Sequence, residues 1–209
     1  MGRLRVETMV LGPVGTNTYL VFDEETKEGF FVDPADCAGD IRRRADGLGM
    51  LPRAILLTHG HFDHIGAVSA LRTHYRIPVY ASAEEKDVLE SRELNLSRMF
   101  GCPLSVEADR LLLDGQELAL AGRTIRFIHT PGHTKGSGCY YLSDEELLFS
   151  GDTLFSLSVG RTDFPTGSMS ALVRAIREKL MILPENTQVL SGHGEETDIG
   201  TEKRMNPCI

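Results

Sequence analysis

Thr58-His59-Gly60-His61-Phe62-Asp63-His64 sets three imidazoles and one carboxylate into six residues, directly behind the apolar run Ala54-Ile55-Leu56-Leu57. A run this short and this apolar suits a buried strand, whereas Ile65-Gly66-Ala67-Val68-Ser69-Ala70-Leu71 has its apolar residues at helical spacing. The cluster is therefore predicted on a strand-to-helix turn. Side chains one position apart can converge there on one point, and His64, at the helix start, can face a second point nearby. Imidazole and carboxylate donors in that arrangement suit zinc, iron or manganese.

Three more candidates follow downstream, each in a turn behind an apolar run. The run Thr124-Ile125-Arg126-Phe127-Ile128 enters His129-Thr130-Pro131-Gly132-His133, which leaves His133 on a glycine-rich turn. Leu147-Leu148-Phe149-Ser150 ends at Gly151-Asp152-Thr153, and Thr187-Gln188-Val189-Leu190 ends at Ser191-Gly192-His193-Gly194. His59, His61, Asp63, His64, His133, Asp152 and His193 exceed the needs of one ion. Their chemistry suggests a division: His59, His61 and His133 for one cation, Asp63, His64 and His193 for a second, and Asp152 as the bridge. Two ions about 3.5–4 Å apart can share a hydroxide and polarise a carbonyl beside it, which points to hydrolysis.

The chain's 209 residues fit one domain able to bury a core without disulfides. A net charge of −8 argues against nucleic acid as partner, because phosphate backbones call for clustered Lys and Arg. Cys37, Cys102, Cys139 and Cys208 form no C-x-x-C pair and fit free thiols in a reducing cytosol. No apolar signal core opens the sequence and no apolar stretch is long enough to span a bilayer, so a cytoplasmic protein without membrane attachment is expected.

Along the chain, Leu4 to Leu11 and Thr18 to Phe22 read as a hairpin, and Gly29 to Val32 as a strand ending at Asp33-Pro34. Asp33 suits either an acceptor for the second nitrogen of a metal-bound imidazole or a strand-end turn residue. Ile41 to Leu48 reads as a surface helix whose Arg42-Arg43-Arg44 run is solvated. Pro78 to Ala81 reads as a strand and Ala83 to Glu90 as a helix, while Ser91 to Val106 fits either an active-site flank or a connector. Asp114-Gly115, between Leu111-Leu112-Leu113 and Glu117 to Leu120, reads as a hairpin turn. Cys139 to Leu142 adds a strand, Ser168 to Leu180 a serine-capped helix, and the tail a short helix. That order suits two similar αβ halves packed sheet to sheet, with helices outside.

The ordered set H-x-H-x-D-H, T-P-G-H-T around His133, S-G-D-T around Asp152 and S-G-H-G around His193 resembles the metallo-β-lactamase superfamily from about Asn17 onward. Within it, Gly160 to Ser168 resembles the loop of the short, single-domain glyoxalase II-like hydrolases. The resemblance implies a four-layer αββα sandwich over residues 1–209, with the metals at one edge of the two sheets and no separate C-terminal glutathione-binding helical domain. It also implies two divalent ions, zinc first, with iron or manganese as alternatives, divided among the seven residues as above. The implied substrate is a small-molecule thioester, S-lactoylglutathione or a related 2-hydroxyacyl-glutathione. Asp63 would be both a ligand and the catalytic group that orients the hydroxide or takes its proton.

Arg161 is a candidate partner for a substrate carboxylate, with pairing to Asp163 as the alternative, and Lys135 is a candidate contact, with exposure as its alternative. Relatives of this fold that act as mono-iron persulfide dioxygenases, with two histidines and one carboxylate, form a second expectation. The tail Glu202-Lys203-Arg204-Met205-Asn206-Pro207 resembles both groups. β-Lactam hydrolysis is disfavoured by the lack of a secretion signal. A non-catalytic metal domain fits less well, because structural zinc is usually closed by four ligands, often cysteines.

Overall fold

The computed structural model describes residues 2–209. The first sheet runs in chain order: β1 (Leu4–Leu11), β2 (Thr16–Asp23), β3 (Glu28–Val32), β4 (Leu51–Leu56), β5 (Val79–Ser82) and β6 (Arg110–Leu112). β1 to β3 pair antiparallel and β3 to β6 parallel. The second sheet contains β7 (Glu117–Leu120), β8 (Arg123–His129), β9 (Gly138–Leu142), β10 (Leu147–Gly151), β13 (Gln188–Ser191) and β14 (Thr197–Asp198), in the order β14-β13-β10-β9-β8-β7. Between β10 and β13 lies a small hairpin of β11 (Leu154–Phe155) and β12 (Ser158–Val159).

Strand periodicity sorts the apolar residues into layers. On β2, Leu20 and Phe22 face outward with Phe31, Ile55 and Leu57 and pack under α1 (Ala38–Gly47), α2 (Phe62–Ile65) and α3 (Val68–Tyr75) through Ile41, Ala45, Ile65, Val68 and Leu71. The alternate residues Tyr19 and Val21 join Phe30 and Leu56 against Phe127, Tyr140, Phe149 and Leu190 of the second sheet. That sheet's far side, with Cys139, Tyr141, Leu148 and Val189, takes Leu172, Ile176, Leu180 and Ile199. Two sheets face to face with helices on both outer sides make the expected αββα sandwich. Among the described residues no helix is long and apolar enough to cross a membrane.

Several local expectations change. Asp114-Gly115 is a turn, with Gln116 N–H donating to Leu113 O at 3.0 Å, but it is no hairpin: β6 belongs to the first sheet and β7 to the second. The dipeptide dictates a local reversal and carries no information about which sheet receives the next strand. The hairpin is instead β7–β8, turning through Ala121 and Gly122, both at positive φ; alanine is no usual signal for such a turn. The helix expected from Ile65 to Leu71 is broken at Gly66, whose hypothetical Cβ would lie 2.3 Å from Ala35 O. Ala83 to Glu90 divides into a 3₁₀ turn (Ala83–Glu85) and α4 (Lys86–Glu90). Ser168 caps α5 (Met169–Ala175) by accepting from Ala171 N–H, and the remainder, Ile176–Leu180, is a π-helical turn. The tail helix is α6 (Ile199–Met205), and Arg42, Arg43 and Arg44 lie exposed on α1.

Candidate metal centre

The C-terminal ends of β4, β8, β10 and β13 meet at one edge of the sandwich. Gly138 N–H donates to Thr58 O at 2.9 Å, and Asn17 N–H to Gly192 O at 2.7 Å, so backbone bonds join the loops of both sheets there. His59 and His61 lie in the loop after β4, Asp63 and His64 in α2, His133 after β8, Asp152 after β10 and His193 after β13. The turns therefore bring all seven candidates into one cluster.

The donor atoms of His59, His61 and His133 lie within 4.8 Å of one another, and so do those of Asp63, His64 and His193. Asp152 touches both sets. Its Oδ1 is 3.4 Å from His64 Nε2, and its Oδ2 is 3.5 Å from His133 Nε2 and 3.6 Å from His193 Nε2. Asp63 Oδ2 is 3.3 Å from His193 Nε2 and accepts from Thr16 Oγ1 at 3.0 Å.

The imidazoles are oriented from behind. His133 Nδ1 donates to Arg161 O at 2.7 Å, and His64 Nδ1 lies 2.9 Å from Asp33 Oδ2. Thr58 Oγ1 donates to the same Asp33 oxygen at 2.5 Å and stands 3.1 Å from His59 Nδ1. Asp33 thus combines both roles weighed for it, strand-end residue and acceptor behind the imidazoles. Fixing one ring nitrogen as donor leaves the other free as a ligand. His59 Nε2, His64 Nε2 and Asp152 Oδ1 are indeed buried without a hydrogen-bond partner.

The charge balance also fits a cation. Burial and the neighbouring His64 and His133 hold His59 well below the usual imidazole range, and burial with His133 lowers His61 to about 3. Both are neutral donors in waiting. Burial alone would lower His64 and raise Asp63 and Asp152. The mutual attraction of the imidazolium and the two carboxylates reverses each shift, leaving His64 well above its usual range, Asp63 at about 2 and Asp152 low. Two carboxylates facing buried imidazoles make a place that suits a divalent cation.

Close packing explains the glycines of the motifs. A Cβ on Gly192 would sit 2.2 Å from Asp152 Oδ1 and 2.7 Å from His64 Cε1, so only glycine lets β13 deliver His193 so close. Gly151 has φ +50°, and its Cβ would lie 2.2 Å from Thr58 Oγ1.

The centre forms the floor of a cavity of about 530 Å³ with largely apolar walls: Val14, Phe62, Leu96, Phe100, Phe155, Val159 and Phe164. Ser91 to Val106 flanks this cavity through Leu96 and Phe100. Asn95 folds it back by donating to Leu104 O at 2.9 Å, and its Phe100 stacks on Phe62 with ring centroids 4.5 Å apart. Arg161 lines the cavity, but its guanidinium forms a two-pronged pair with Asp163 at 2.7 and 2.6 Å and lies 4.0 Å over Phe164. The loop is thus pinned to itself. Lys135 pairs with Asp87 at 2.6 Å, outside the cavity lining.

Four residues take roles here that the sequence did not assign to them. Thr58 relays Asp33 to His59. Glu85 is buried beside the ligand loops. Glu202 and Asn206 hold the β11–β12 hairpin: Leu157 N–H donates to both Glu202 oxygens at 3.1 Å, and Asn206 Nδ2 donates to Ser158 O at 3.0 Å. These are ordinary polar residues in turns and helices, and only folding places them.

Comparison with known proteins agrees with the fold. The chain is 41% identical to the probable metallo-hydrolase YqgX of Bacillus subtilis, over 96% of this chain and 95% of that one. It is 34% identical to the hydroxyacylglutathione hydrolase GloC of Haemophilus influenzae, over 99% and 98%. Among solved structures, the B3 metallo-beta-lactamase BLEG-1 superposes with TM-score 0.92 at 43% identity, over 97% of this chain and 98% of that one. TTHA1623, solved in a di-iron-bound form, superposes with TM-score 0.88 at 35% identity, over 98% and 100%. A family model matches residues 11–193, a span that takes in all seven donors, and the chain belongs to the metallo-beta-lactamase superfamily.

Proposed function

We propose that the protein hydrolyses a thioester, S-lactoylglutathione or a related 2-hydroxyacyl-glutathione. His59, His61 and His133 hold one divalent ion, Asp63, His64 and His193 hold a second, and Asp152 lies between. The observation that carries this reading is the pair of donor groups sharing Asp152 on the floor of one cavity. Two such ions supply a hydroxide at neutral pH and an electrophile for the carbonyl oxygen.

The chain's own residues do the rest. Asp63, steadied by Thr16, faces the cavity, orients the attacking water and receives its proton. The phenylalanine walls shield the reacting carbonyl from bulk water. The leaving thiolate needs no acid of its own, because the conjugate thiol has a pKa of about 8.5. The likeness to GloC supports the thioester class. Mixed nitrogen and oxygen donors accept zinc, iron or manganese; we propose zinc, with the di-iron form of TTHA1623 naming iron as its rival. Four free cysteines suit a reducing compartment, and we place the protein in the cytoplasm as a single domain.

The test is S-lactoylglutathione hydrolysis with air excluded, by wild type and by Asp63→Ala. Cleavage by the wild type and loss of at least a hundredfold in the variant support the reading. Oxygen uptake with glutathione persulfide by a one-iron protein that leaves the thioester intact replaces it with the dioxygenase.

A further inference from the structure

Glu85, at the end of the 3₁₀ turn after β5, is fully buried and stands apart from the seven donors and from the cavity lining. Its Oε1 accepts from Gly60 N–H at 2.8 Å, and Gly60 lies between His59 and His61. Its Oε2 accepts from Thr134 Oγ1 at 2.8 Å and Gly136 N–H at 2.9 Å, in the loop just after His133. One carboxylate from a third segment thus holds both loops that carry the first donor group.

We propose that Glu85 is a positioning residue of the metal centre, setting the distance between the His59–His61 loop and the His133 loop. The proposal rests on the two-ion reading and adds to it a residue outside the ligand set.

The hydrogen-bond directions show why a carboxylate stands there. Gly60 and Gly136 offer N–H groups, which can only donate. Ser137 Oγ accepts from Thr134 N–H at 3.0 Å, and its own hydroxyl lies 2.7 Å from Thr134 Oγ1, so Thr134 is free to pass its proton toward Glu85. Three donors converge on one side chain, and an ionised carboxylate accepts from all of them without conflict. Glutamine would turn its NH₂ toward at least one of these donors and break that bond. The approach is also tight: a Cβ on Gly136 would lie 2.3 Å from Glu85 N and 2.5 Å from Glu85 Oε2. Burial raises the Glu85 pKa to about 7, against the pull of the same three hydrogen bonds.

The test is Glu85→Gln, with zinc affinity read by chelator competition and the unfolding temperature of the metal-free protein read in parallel. Visible absorption of the cobalt-loaded protein reports the ligand geometry. The expected result is one ion weakened by about tenfold to a hundredfold, the size seen when groups behind metal ligands are lost. The other ion keeps its affinity, part of the cobalt spectrum shifts, and the metal-free protein melts no more than a few degrees below wild type. Two ions bound as in wild type overturn the proposal. So does a joint loss of both ions that follows a drop in metal-free stability, because Glu85 is then only a fold-stabilising group. A wild-type chain that binds fewer than two ions sinks the two-ion reading itself, and this shows before any variant is measured.

Discussion

Asn206→Ala tests whether the C-terminal helix shapes the substrate cavity. The β11–β12 hairpin has two residues in each strand and carries Phe155, Ser158 and Val159 into the cavity wall. A hairpin that short has almost no stability of its own. It is held by the α6 side chains: Leu157 N–H on Glu202, Asn206 Nδ2 on Ser158 O at 3.0 Å, and Asn206 Nδ2 on Glu202 Oε2 at 2.7 Å. Thr197 Oγ1 also donates to Glu202 Oε1, at 2.6 Å. Of the two Asn206 bonds that alanine removes, the one to Glu202 lies within α6 and its cap, and only the one to Ser158 O reaches the hairpin. A neutral hydrogen bond contributes about 0.5–1.5 kcal/mol, which is roughly two- to tenfold in the hairpin's opening equilibrium. Steady-state kinetics should show KM rising by up to about tenfold, with kcat and metal content within about twofold of wild type. Unchanged KM, or a loss of metal in step with activity, would refute the reasoning.

Three further outcomes follow from the same contacts. Gly192→Ala forces a methyl into Asp152 and His64; at least one ion per chain should be lost in metal analysis, together with activity. Tyr140→Phe removes a buried hydroxyl that donates to Leu57 O at 2.9 Å and should cost about 1–3 kcal/mol by urea denaturation, without changing metal content. The third concerns pH. Because the Glu85 pKa is about 7 when folded and 4.5 in its unperturbed state, the folded state holds the extra proton between those values. Its contribution therefore turns against folding as pH rises from about 4.5 to 7, by on the order of 3 kcal/mol. In the metal-free protein, the stability difference between Glu85→Gln and wild type should grow in favour of the variant across that window. A flat difference would contradict the pKa.

The candidate metal centre was legible in sequence because His59, His133, Asp152 and His193 each follow an apolar run, so that local pattern alone placed them at strand ends. Asp33 was half legible. Its place before a proline marked a strand end, but its bond to His64 depends on two parallel strands lying side by side. The Asp114-Gly115 turn misled because a turn dipeptide speaks only for four residues, whereas sheet membership is set by pairing with other strands: β6 pairs with β5 and β7 with β8. Glu85 was invisible for a related reason, and Glu202 and Asn206 stood out only as part of a familiar tail, without their contacts to the hairpin. A buried carboxylate that gathers donors from distant loops carries the same sequence signature as one exposed on a helix. Arg161 was read with two alternatives, and the contacts with Asp163 and Phe164 account for its guanidinium. A substrate carboxylate would have to compete with Asp163 for it.

The central claim is a two-ion hydrolytic centre, and the most direct measurement is metal content per chain of protein purified from its native host, with thioester cleavage assayed without air on the same sample. Two divalent ions per chain and oxygen-independent cleavage of S-lactoylglutathione are the predicted result. One ion per chain with turnover that requires oxygen would contradict it.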